Sequence, residues 1–107
     1  MAESIRVVYQ NVQGRVRRNF NWAPIKKESP VIITAAEWRP SGGVFGILEG
    51  RPHLGEANVH VTNVGVHGDE GGGMGGVEFH LHADFNSPLN VIVTITVLED
   101  VKEVVGG

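Results

Sequence analysis

Three histidines, His60, His80 and His82, have the side-chain type and spacing best suited to chemistry in this chain. His80 and His82 are two residues apart, and an extended strand places such a pair on one face about 7 Å apart. A third imidazole brought beside them would complete a set suited to zinc, nickel or copper. Glu78 and Asp84 share the same alternation and would stand at the two ends of the row. Cysteine is absent, which excludes thiolate metal sites, thiol nucleophiles and disulfides.

The strand that must carry these groups reads V-E-F-H-L-H-A-D-F over residues 77–85. Val77, Phe79, Leu81, Ala83 and Phe85 form a dry side, and Glu78, His80, His82 and Asp84 form a polar one. The segment from Ala57 to Val66 pairs with it as a hairpin. Val59 and Val61 point inward at odd positions, whereas Val64 and Val66 point inward at even ones, so the phase slips by one near Asn63. A β-bulge produces such a slip. The expected register sets Val66 opposite Val77, Val64 opposite Phe79, Val61 opposite Leu81 and Val59 opposite Ala83. On the polar side Thr62 then meets His80, His60 meets His82 and Asn58 meets Asp84, with directly opposed Cβ atoms about 5 Å apart.

His80-Leu81-His82 resembles the H-x-H element of the cupin metal motif. The likeness stops at these two residues: the turn from Asp84 to Pro88 supplies no glutamate, and no histidine follows His82. Cupin ligands also point into the barrel, whereas Phe79, Leu81 and Ala83 make up the inward set here.

Signatures of catalysis are missing. No G-x-S-x-G occurs, and Glu78 and Asp84 would lie about 20 Å apart along a strand, too far for a glycosidase pair. Gly71, Gly73 and Gly76 fit G-x-G-x-x-G, but a strand follows them where a dinucleotide site needs a helix. The segment from Gly68 to Gly76 therefore reads as a hairpin loop with Met74 as an adaptable apolar tip. The leading expectation is a non-enzymatic module that binds a ligand or assembles with itself. Its contact face would be Asn58, His60, Thr62, Glu78, His80, His82 and Asp84. A small metal-binding protein using His60, His80 and His82 is the second reading. A lectin-like or membrane-active module using Trp22, Trp38 and the loop tips is the third.

The rest of the chain predicts an all-β fold. Fifteen glycines punctuate short apolar runs, and seven or eight strands recur at intervals of roughly 8–12 residues. Strands are expected over 4–10, 13–22, 31–38, 44–48, 57–66, 77–85 and 89–98, with a turn at 39–43 and a loop at 50–55. Short helical turns are expected only near 34–37 and 99–104. In the last strand Leu89, Val91, Val93, Ile95 and Val97 form an apolar face. The mixed opposite face (Asn90, Ile92, Thr94, Thr96, Leu98) predicts that another subunit or element covers it, and a homo-oligomer is the expected state. The pattern fits one antiparallel β-sandwich over residues 1–107, jelly-roll or immunoglobulin-like, with a small barrel as the alternative.

Arg6, Arg15, Arg17, Arg18, Lys26 and Lys27 fall in the first 27 residues against Glu3 alone, although the whole chain carries a net charge of −3. Such asymmetry marks an anionic partner or a surface that docks on another copy of the chain; a carbohydrate or protein ligand is the further partner expected. Net acidity and missing motifs argue against nucleic acid. Neither a secretory leader nor an apolar run of membrane-spanning length is apparent, so a cytoplasmic location, or export without a signal peptide, is expected.

Overall fold

The computed structural model describes residues 2–68 and 73–107. Seven antiparallel strands are present among them: β1 (Glu3–Val12), β2 (Gly14–Asn21), β3 (Val31–Pro40), β4 (Gly50–His53), β5 (Asn58–His67), β6 (Gly76–Asp84) and β7 (Leu89–Val97). They form a four-stranded sheet in the order β1-β7-β3-β4 and a three-stranded sheet in the order β2-β6-β5. The two sheets make a strongly curled, sandwich-like half-barrel.

Alternation decides which side of each strand is dry. From β6, Val77, Phe79, Leu81 and Ala83 are buried, and from β7, Val91, Val93, Ile95 and Val97, none more than 4 % exposed. Val16 and Phe20 of β2 and Val59, Val61 and Val66 of β5 pack around them. The chain crosses from one sheet to the other between β1 and β2, where Asn11 and Gly14 take positive φ values of 56° and 70°. Only glycine, and less readily asparagine, adopts this backbone at small cost, so the crossing is encoded locally.

Several expectations are corrected. Residues 44–48 form no strand; a 3-10 turn occupies Gly46–Leu48. Gly42 and Gly46 adopt φ values of 77° and 62°, which break any extended run. The expected loop at 50–55 instead contains β4, with Pro52 opposite Trp38. Proline is tolerated because β4 is an edge strand, so its missing N–H interrupts no central ladder. Thr34 to Glu37 lie within β3, and residues 99–104 form no helix. Ile92 lies between Val8 and Ala36 in register and is 2 % exposed within a single chain.

Candidate functional site

The hairpin register agrees with the alternation except at the bulge. Asn58 pairs with Asp84, Val59 with Ala83, His60 with His82, Val61 with Leu81, Thr62 with His80 and Val66 with Val77. Between Thr62 and Gly65 the register shifts, and Asn63 adopts a left-handed φ of 57°. Val64, expected to meet Phe79 in the core, is displaced and exposed. Asn63 and Val64 together span the position opposite Phe79.

Strand β2 pairs along the other side of β6, and this extends the polar face across three strands. One row is Arg15, His82 and His60; the next is Arg17, His80 and Thr62; then Asn19, Glu78 and Gly65; last, Asn21, Gly76 and His67. The β2 groups and His67 were not among the expected site residues. Alternation along β2 separates Arg15, Arg17, Asn19 and Asn21 from Val16 and Phe20. What it cannot supply is the partner strand, which lies some sixty residues away along the chain (Arg17 to Glu78).

Hydrogen bonds fix much of this face. Thr62 Oγ1 and His82 Nε2 share one of 2.8 Å. His67 Nε2–H donates to Asn19 Oδ1 at 2.8 Å, and Asn19 Nδ2–H donates to Asn21 Oδ1 at 2.9 Å. Arg17 donates to and pairs with the Glu78 carboxylate. That hydrogen bond, with the positive charge behind it, holds the Glu78 carboxyl below its ordinary range, and His67 adds a smaller pull in the same direction. Both side chains are open to water, so the pair orients the groups more than it stabilises the fold.

The bulge leaves a hollow of about 380 Å³ in the face. Arg17, His67, Glu78 and His80 surround it, with Asn63 and Gly65 beside them and the apolar Val66 and Phe79 completing its lining. Gly65 stands opposite Glu78, where any side chain would project over the face, and a Cβ there would approach only the Glu78 carbonyl oxygen, at 4.0 Å. Gly65 thus lines the hollow without filling it.

The three expected metal ligands are adjacent but do not converge. His60 and His82 stack face to face, centroids 4.4 Å apart and planes within 6°. His80 stands edge-on to His82 at 6.5 Å. A ring nitrogen directs its lone pair in the ring plane, so two parallel stacked rings do not aim at an ion between them. Among the described residues no three His, Asp or Glu side chains are grouped to hold a metal ion. A zinc, nickel or copper centre at His60, His80 and His82 would require these rings to rotate out of the stack.

The remaining expected contacts lie apart from this face. Trp38 is 8 % exposed and donates its indole N–H to the Ile47 carbonyl, so its ring is closed to a ligand. Trp22 packs half-buried against the core. Met74 is exposed beside the glycine loop, whose residues 69–72 lie outside the described part of the chain. No protein-family model, no curated protein and no solved structure matches this chain, so its functional reading stands on the polar face of the three-stranded sheet.

Proposed function

We propose that the protein is a non-enzymatic binding module whose outer β2-β6-β5 face takes an acidic carbohydrate. The observation that carries this reading is the hollow at the β5 bulge, where Arg17, Asn63, His67, Glu78 and His80 meet over Val66 and Phe79, with Arg15 two residues from Arg17 on the same side of β2. Guanidinium groups match the planar oxygens of carboxylate and sulfate substituents. The Glu78 carboxylate, kept ionised by Arg17, accepts hydrogen bonds from sugar hydroxyls, and Asn19, Thr62 and His80 add donors and acceptors at neighbouring positions. Polar groups outnumber the apolar Val66 and Phe79 around the hollow, which favours a hydroxyl-rich ligand over a protein.

The test measures calorimetric binding of a heparin-derived oligosaccharide and of an uncharged maltooligosaccharide. Wild type should bind the charged sugar and not the neutral one. Gly65→Leu fills the hollow at a position of ordinary φ with open space above it, and should weaken binding about tenfold or more while leaving thermal unfolding unchanged. Equal affinity in wild type and Gly65→Leu, or no binding by wild type, would sink the proposal.

A further inference from the structure

The β3–β4 hairpin ends in a loop that turns its apolar side chains outward. Val44 is 96 % exposed, Phe45 77 % and Leu48 70 %. The loop is nonetheless tightly specified. Ser41 N–H donates to Glu49 O at 2.8 Å, closing its base. Within the 3-10 turn, Gly46 N–H donates to Gly43 O and Glu49 N–H to Gly46 O, each at 3.1 Å. Glu49 Oε2 accepts from Phe45 N–H at 3.2 Å, and Trp38 beneath holds the Ile47 carbonyl. Polar contacts thus set the conformation, and burial of Val44, Phe45 and Leu48 contributes little to it.

At the base of the same hairpin Arg39 and Arg51 are directly opposed. Like charges in this position repel, so the pair costs stability. Neither forms an ion pair with a carboxylate among the described residues. With Pro40, Ser41, Glu49 and Gly50 they line a hollow of about 260 Å³. The one carboxylate there, Glu49, is engaged by the Phe45 backbone N–H.

We infer that this hairpin docks the protein on an anionic phospholipid bilayer. Val44, Phe45 and Leu48 enter the boundary between headgroups and acyl chains, and Arg39 and Arg51 take lipid phosphates or carboxylates at the base. Apolar tip and cationic collar are the two halves of an interfacial anchor. A convex tip of three side chains presents far less area than a stable protein interface buries, roughly 800 Å² per partner, whereas a bilayer admits a small wedge. The site lies on the four-stranded sheet and is independent of the carbohydrate face.

Co-sedimentation with phosphatidylcholine vesicles, with and without phosphatidylserine, tests the inference. Wild type should bind the phosphatidylserine vesicles preferentially, with the preference fading as salt is raised. Phe45→Ser/Leu48→Ser should lower binding at least about tenfold. Arg39→Gln/Arg51→Gln should remove the preference for phosphatidylserine. All four positions are solvent-exposed, so circular dichroism should match wild type and unfolding midpoints should not fall below it, that of Arg39→Gln/Arg51→Gln rising slightly as the like-charge repulsion is removed, and this separates lost docking from lost folding. Absence of wild-type binding to either vesicle, or equal binding by wild type and Phe45→Ser/Leu48→Ser, would overturn the inference. Gly65→Leu should bind vesicles as wild type does, so either proposal can fail without the other.

Discussion

Tyr9 carries an electrostatic signature that one residue can report, because it is the only tyrosine in the chain. Its ring meets Phe79 edge-on at 6.5 Å, and the Arg18 guanidinium lies 5.5 Å from the ring centroid. Burial raises the phenol above its ordinary value of 10.0, and the Arg18 charge offsets part of that rise. A raised folded-state value means that the folded protein keeps its proton where the unfolded chain has lost it. The resulting stability is fully present below pH 10 and is lost as pH rises through the folded-state value. Phenolate absorbance should therefore titrate above 10, and Arg18→Gln should move the midpoint higher still. A wild-type midpoint at or below 10 would refute the burial argument. An unmoved midpoint in Arg18→Gln would show that its charge does not reach the phenol.

Among the elements, the hairpin of β5 and β6 was the most legible in the sequence, because burial of one face forces a period of two on both strands. Even the bulge was readable, since Val61 and Val64 cannot both face inward on an unbroken strand. Val64 itself was misplaced: a phase slip locates an irregularity but does not say which residue leaves the ladder. Strand β4 was hidden because Gly50 and Pro52 carry turn chemistry, and only its place at a sheet edge makes them acceptable. The run from Val44 to Leu48 misled in the opposite direction, being apolar for a reason unrelated to the core. The β2 half of the polar face was invisible, because pairing between β2 and β6 depends on the whole topology. The bulge itself yields a prediction. Asparagine tolerates the left-handed region better than other side chains, and β-branched residues tolerate it worst. Asn63→Gly should leave the urea midpoint nearly unchanged, whereas Asn63→Val should cost about 1–2 kcal/mol. An unchanged midpoint in Asn63→Val would mean that the bulge can relax into another conformation.

At the scale of the whole molecule, the two sheets formed by the described residues end in four edge strands, β1, β4, β2 and β5, each a template for unwanted pairing. Each carries a guard: bulges in β1 and β5, Pro52 in β4, and in β2 the half-buried Arg18, which shares the inner side with Val16 and Phe20. These devices disfavour edge-to-edge pairing between copies of the chain. The same sheets have no separate interiors: Leu81 of the three-stranded sheet and Ile95 of the four-stranded sheet, both 0 % exposed, belong to one cluster. Removing either side chain leaves a cavity that both sheets line, so neither sheet can loosen while the other holds. Leu81→Ala and Ile95→Ala should each cost about 2–5 kcal/mol, a large fraction of the roughly 5–15 kcal/mol that stabilises a typical domain. Because the cluster is shared, both variants should shift a single transition seen alike by far-ultraviolet circular dichroism and tryptophan fluorescence. Fluorescence follows both sheets: Trp38 lies in β3 of the larger one, and Trp22 follows β2 of the smaller. If Leu81→Ala split the transition in two, with one sheet melting ahead of the other, the sheets would be separate folding units and the shared core would not be what joins them.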